Sequence, residues 1–217
     1  MNARSLIALC TLLSTPALFA TPSGLNNIPT ADVIGNRTVA VQAFDTFGPG
    51  SHDFWMGFKT GLDFSPIHIE WGLDSHFAPT PSGPLFFQTK IETSPWTDGK
   101  IAIGVANVGL TNFNRAGDPF SYAVLTQDFH LARLSLGYGL QSHNDSALIG
   151  IDRTWKIEGH DFNLNADLVQ TGDQSGWLPA VGFKYELCKY IVLEGWANLP
   201  DHGSASFLAK INYVFNY

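Results

Sequence analysis

Past residue 20 no stretch sustains the 3.6-residue periodicity of an amphipathic helix; apolar and polar positions alternate instead, over runs of about ten residues. In Ile67-His68-Ile69-Glu70-Trp71-Gly72-Leu73-Asp74 one face carries Ile, Ile, Trp and Leu, and the other His, Glu, Gly and Asp. Residues 85–92 repeat the pattern with Gln88, Lys90 and Glu92 on the polar face, and 162–168 do so with Asn163, Asn165 and Asp167. In 131–140, Arg133, Ser135, Gly137 and Gly139 oppose Leu134, Leu136, Tyr138 and Leu140. About twelve such segments lie between turn signals: 38–46, 54–62, 66–74, 84–93, 100–110, 119–127, 130–141, 146–155, 161–170, 177–187, 190–199 and 205–217.

The connections come in two alternating kinds. Those at 47–52, 75–83, 111–118, 142–145, 171–176 and 201–204 are rich in Gly, Pro, Asn, Asp and His and read as loops. The others, around 64–65, 128–129, 158–159 and 188–189, are very short, with one longer member at 94–99. Long loops at one end and tight turns at the other predict an up-and-down antiparallel β-barrel of the outer-membrane kind. An even number of strands then puts both chain ends on the tight-turn side.

Alternation by itself also fits a secreted soluble β-sandwich that binds a ligand, with the faces reversed. Strand length argues for the membrane, because a tilted crossing takes about 9–11 residues, whereas sandwich strands run to about 5–6. Aromatic residues near strand ends fit interfacial belts: Trp55, Phe77, Phe120, Tyr138 and Trp177 on one side, Phe64, Phe129, Trp155, Tyr185 and Tyr217 on the other. Arg153, on the apolar register beside Trp155, is placed to snorkel to headgroups.

Composition narrows the class further. The 217 residues are 45% hydrophobic but only 14% charged, against about 25% charged in an ordinary soluble domain. Mean hydropathy is close to zero, too polar for a bundle of membrane helices. With 6 Trp, 6 Tyr and 16 Phe the chain is too aromatic for a solvated coil. A net charge of −7 with no basic block excludes nucleic acid as a partner. Residues 1–20 have the layout of a secretory signal peptide, with Arg4, an apolar run and a cleavage end at Ala20. Its removal would leave Cys188 as the lone cysteine, so no internal disulfide is expected.

The chain stops at Lys210-Ile211-Asn212-Tyr213-Val214-Phe215-Asn216-Tyr217, with Ile211, Tyr213, Phe215 and Tyr217 on one face. This resembles the C-terminal signature strand of bacterial outer-membrane proteins. The resemblance implies outer-membrane lipid and the barrel-assembly machinery as partners. At the other end, Gly24-Leu25-Asn26-Asn27-Ile28-Pro29-Thr30-Ala31 resembles the opening of YjbH-like outer-membrane proteins, which accompany exopolysaccharide gene clusters. Gly57-Phe58-Lys59-Thr60-Gly61-Leu62 and Val192-Leu193-Glu194-Gly195-Trp196 are similar to that group too. Kinship of barrel type and a link to surface polysaccharide are what this implies.

Read as lumen-facing, the polar register delivers Lys59, His68, Glu70, Lys90, Glu92, Arg133, Asp152, Asn163, Asn165, Asp167, Lys184, Glu186, Glu194 and Lys210 to the interior. The signs are mixed. Unpaired charges in a confined space are costly, so a network of ion pairs closing the lumen is expected, with Glu70 and Lys90 as one pair and Arg133, Asp152 and Asp167 as a second group. Residues 21–37 alternate poorly and precede the first strand; a plug, a periplasmic tether and a disordered leader are all open for them. His202-Gly203-Ser204 has the spacing of a lipid-hydrolase pair but lies in a loop, and the loop histidines His52, His76, His143 and His202 show no metal-ligand spacing. The sequence therefore predicts a non-enzymatic, cofactor-free outer-membrane barrel with a largely closed polar lumen, envelope-structural or associated with surface polysaccharide. A narrow porin-like channel for small hydrophilic solutes is the alternative, and a lipid-modifying enzyme a further one.

Overall fold

The structure, a computed structural model, describes residues 23–48, 51–78, 83–112, 116–142, 144–170, 176–201 and 203–217. Over them the chain forms twelve strands. β1 (Thr38–Gly48), β2 (Ser51–Phe64), β3 (Ile67–Ala78) and β4 (Leu85–Trp96) come first. β5 (Gly99–Gly109), β6 (Phe120–Asp128), β7 (Arg133–Gln141) and β8 (Asn144–Ile157) follow. β9 (His160–Gln170), β10 (Trp177–Cys188), β11 (Ile191–Asn198) and β12 (Ser206–Asn216) complete the sheet. Each pairs antiparallel with its neighbours in sequence, and β12 returns to β1 along a seam from Thr38↔Asn216 to Phe47↔Phe207. The sheet is a closed up-and-down barrel, as the alternation predicts.

β1 starts and β12 ends at the end where strands join through the short connections 65–66, 97–98, 129–132, 158–159 and 189–190. Glu158 and Gly159 both have positive φ (53° and 89°), the two-residue hairpin geometry whose twist matches the flanking strands. The opposite end carries the longer connections 79–84, 110–119, 171–176 and 199–205. The strands flanking two expected loops at that end run further than expected: β1 reaches Gly48 and β2 begins at Ser51, while β7 reaches Gln141 and β8 begins at Asn144. Ladder pairing extends to Gly48↔Ser51 and Gln141↔Asn144. The expected longer connection at 94–99 is likewise strand, since β4 continues through Trp96, whose indole N–H donates to Gln127 Oε1 at 2.7 Å.

The faces are opposite to those of a soluble sandwich. Outward positions are apolar and open, with Ile103 57% exposed, Ile151 50% and Val181 51%, whereas inward Lys59 and Lys90 are completely buried. Phe64, Phe77, Phe129, Tyr138, Trp155 and Tyr217 are exposed near the two rims, and the Arg153 guanidinium lies 5.4 Å from the centre of the Trp155 ring. Two aromatics assigned to the belts face inward instead. Trp55 stacks on Phe44 inside the barrel at 6.0 Å, with His76 and Phe86 at 4.6 and 5.7 Å, and Phe120 stacks on Tyr122 at 5.7 Å. Their strand registers decide it: Trp55 is in phase with Lys59, and Phe120 with Thr126, both buried.

The closing seam sets the terminal residues. Ile211 pairs with Ala43, Tyr213 with Val41 and Phe215 with Val39, and Ile211 and Tyr213 are half-exposed on the outer face. Placing a cation mid-strand on this face, Ile211→Arg, should cost about 2–4 kcal/mol at mid-bilayer depth. We expect the heat-modifiable band of folded protein on a denaturing gel to be lost or sharply reduced. An undiminished folded band would contradict an outward, membrane-facing Ile211.

Candidate functional site in the barrel lumen

Residues 23–34 enter the barrel from the tight-turn end and fill the middle of the lumen. Leu25, Ile28, Ala31, Asn26 and Thr30 are all buried to within 2% of completeness. The described part of this segment lies inside the barrel, and it is called the plug below. The wall opposite Leu25 and Ile28 is apolar on its inner face: Ala102 and Ala106 from β5, Tyr122 and Val124 from β6, Leu148 from β8 and Val169 from β9. Gly150 on β8 leaves the space that the tips of Leu25 and Ile28 occupy, and Gly61 on β2 lets the Ile34 carbonyl approach the wall.

The remaining wall is charged and meets the plug through hydrogen bonds. Asp167 on β9 accepts from the backbone N–H groups of Asn26 (2.7 Å) and Asn27 (2.9 Å), and the Asn27 side chain bridges to Asn198 at 2.9 Å. Glu70 on β3 accepts from the Ser23 hydroxyl (2.7 Å) and the Ile34 N–H (2.8 Å). Lys90, its direct register partner on β4, donates to Ser23 Oγ at 2.5 Å and to the Thr30 carbonyl at 3.2 Å, with its ammonium 4.0 Å from Glu70. Thr126 Oγ1 accepts from the Ala31 N–H at 2.9 Å, and Lys184 on β10 donates to the Gly24 carbonyl. Asp32 forms ion pairs with Lys100 and Arg133, both at 2.9 Å.

The wall also pairs with itself along the register. Glu194 on β11 lies opposite both Lys184 and Lys210, 3.8 and 3.4 Å away, and accepts from Asn212 at 2.6 Å. Arg133 and Asp152 are direct partners bridged at 3.1 Å, and Asn163 donates to the same carboxylate at 2.8 Å. Asn165 donates to Asn163. Asp74 takes Gln42 and Gln88, and Lys59 feels its charge. Glu92 accepts from Ser94, and Glu186 from the Asp161 N–H. His68 sits at the tight-turn rim, a third exposed, and bonds Asp63, its register partner on β2, at 2.7 Å rather than Glu92, its partner on β4.

Two expectations are corrected here. Asp167 does not join Arg133 and Asp152; its register partners are Gly150 and Ala180, and the plug's backbone takes its oxygens. Wall-to-wall ion pairs do not close the lumen by themselves either, because an inserted segment occupies its centre. Sequence reading missed Asp32, Lys100, Gln42, Asp74 and the inward aromatics. Of these, Asp74 already lies on the polar register of its strand, whereas nothing in the alternation marks Asp32.

Among the described residues, two cavities lie on the tight-turn side of the plug. The larger, about 420 Å³, is lined by Ser23, Asp32, Arg133, Asp152, Lys184 and Glu186 among others. The smaller, about 240 Å³, is lined by Trp96, Asp98, Lys100, Asp128 and again Asp32 and Arg133. The Asp32–Arg133 pair therefore stands between them. No cluster of three or more His, Cys, Asp or Glu suited to a metal occurs among the described residues. The loop residues His143 and His202 lie outside those residues, as do the proposed signal segment 1–20 and Cys10; Ser204 is exposed.

Similarity to known proteins reaches the fold. The KdgM porin superposes with a TM-score of 0.60 at 10% identity, covering 82% of this chain and 99% of that one. The KdgM porin in complex with disordered oligogalacturonate gives 0.57 at 9% identity over 82% and 99%, and the NanC porin 0.53 at 10% over 81% and 98%. No protein family matches the chain, and no curated protein does. The likeness to YjbH-like proteins thus stands on its short patches of sequence.

Asp32 makes the plug sensitive to acid. Burial works against its charge, but Arg133 and then Lys100 outweigh burial and hold its pKa at about 2, below the ordinary 3.8. A carboxylate with a depressed pKa stabilises the folded state fully above its unfolded value and loses that contribution as the pH falls through the folded one. Wild type should therefore be about 2 kcal/mol more stable than Asp32→Asn at pH 6, the advantage fading between about pH 4 and pH 2. Urea titrations of both proteins in lipid vesicles read this; an undiminished advantage at pH 2 would contradict it.

Proposed function

We propose that the chain is an exported, non-enzymatic outer-membrane channel of the porin kind for small hydrophilic solutes, with residues 23–34 setting how much of the lumen is open. The observation that carries this reading is the plugged lumen itself: a closed twelve-strand barrel whose charged wall borders a separable segment and about 420 Å³ of free space. The porin folds of KdgM and NanC support it over the purely structural role expected at first. A barrel needed only for structure can fill its lumen with side chains from the wall. This one leaves cavities on both sides of a single ion pair.

The structural reading keeps one specific observation, the complete burial of Ile28 and near-complete burial of Leu25 against an apolar wall. Planar-bilayer recording separates the two. Purified wild type should conduct in small steps, and Ile28→Asp, which puts a carboxylate into the apolar niche, should release the plug and enlarge them. Because truncating such a buried side chain alone costs about 2–5 kcal/mol, most molecules of the variant should be open. Silence from both proteins, with the folded gel band intact, would leave the structural role and remove the channel.

A further inference from the structure

Many of the hydrogen bonds between wall and plug fall on the plug's main chain. Asp167 takes two consecutive backbone N–H groups, Glu70 a third and Thr126 a fourth, while Lys90 and Lys184 each donate to a carbonyl. Such contacts read a peptide backbone whatever side chains it carries. Side-chain recognition adds a niche for two aliphatic residues three positions apart, Leu25 and Ile28, a basic pair for an acid four positions further, Asp32, and hydrogen bonds to the Ser23 hydroxyl and the Asn27 amide.

When the plug leaves, the carboxylates feel it most. Glu70 is 2% exposed and Asp167 5%, and the hydrogen bonds recorded for the Asp167 carboxylate all come from Asn26 and Asn27. An occupant that reburies these carboxylates without donating to them carries a large desolvation cost, so the wall favours an occupant rich in N–H groups. A saccharide offers hydroxyls but neither a series of amide donors nor aliphatic branches for the niche between Val124, Leu148 and Val169.

We propose that the lumen is a binding site for short peptides, which residues 23–34 occupy as a built-in ligand and for which a free peptide of like chemistry competes. This deepens the channel reading, since it names the solute class, and it rests on that reading only for the lumen being reachable.

The test uses full-length Ile28→Asp folded in detergent and a fluorescent synthetic peptide, SGLNNIPTADVI, corresponding to residues 23–34. Saturable binding by anisotropy is expected. N-methylating the two amides equivalent to Asn26 and Asn27, which removes the donors and keeps the side chains, should weaken binding by about tenfold or more, as should adding Asp167→Ala. An acidic oligosaccharide should not displace the peptide. If Ile28→Asp fails to show a folded gel band, Leu25→Ser opens the same niche and serves in its place. Absence of saturable binding to a folded opened variant, indifference to N-methylation, or displacement by the oligosaccharide would overturn the proposal. Its failure is separable from that of the channel: conductance without peptide binding removes the peptide site alone, and peptide binding to a silent barrel removes the channel alone.

Discussion

A backbone N–H or C=O left without a partner in hydrocarbon costs several kcal/mol, so a sheet crossing a membrane has to close on itself. The β1–β12 seam answers that constraint, with Tyr213 opposite Val41 and Ile211 opposite Ala43, and the rest of the molecule follows from it. Closure fixes the alternation of faces. It sends Ile103, Ile151 and Val181 outward and Lys59, Glu70 and Lys90 into a space from which they cannot turn away.

That confinement makes charge pairing the second organising demand. Along β10–β12 it is met across the register, where Glu194 faces Lys184 and Lys210, and along β7–β8 by Arg133 with Asp152. Along β3, β4 and β9 it is met by a separate stretch of the same chain, whose amides and carbonyls satisfy Glu70, Lys90 and Asp167. The plug and the wall are thus complementary in both polarity and shape. Where the wall turns apolar, at Tyr122, Val124 and Leu148, the plug presents Leu25 and Ile28.

The barrel was legible in the sequence because period-two alternation records which side of a strand faces lipid, and the Glu70–Lys90 contact was legible because both lie in one hairpin. The plug was not, since residues 23–34 follow neither helical nor strand periodicity and their hydrogen-bond partners on the wall are 36 to 171 positions away in the chain. Its absence from the pattern explains the other misreadings. On β6 the inner face is Phe120, Tyr122 and Val124, apolar where a water-filled lumen would be polar, and it makes sense only opposite Leu25 and Ile28. Asp167 looked like a member of the Arg133–Asp152 group because it shares their polar register, yet its register partners are Gly150 and Ala180, and its oxygens go to Asn26 and Asn27.

The lumen's architecture depends on residues 23–34 being docked inside a closed barrel. Amide hydrogen exchange on the folded, membrane-inserted protein measures that most directly, because the N–H groups of Asn26, Asn27, Ala31 and Ile34 each donate to a named wall oxygen. Docking predicts that these four amides exchange orders of magnitude more slowly than free peptide, and that Asp167→Ala speeds Asn26 and Asn27 first. Exchange of all four at the free-peptide rate, in a barrel whose strand amides stay protected, would contradict it.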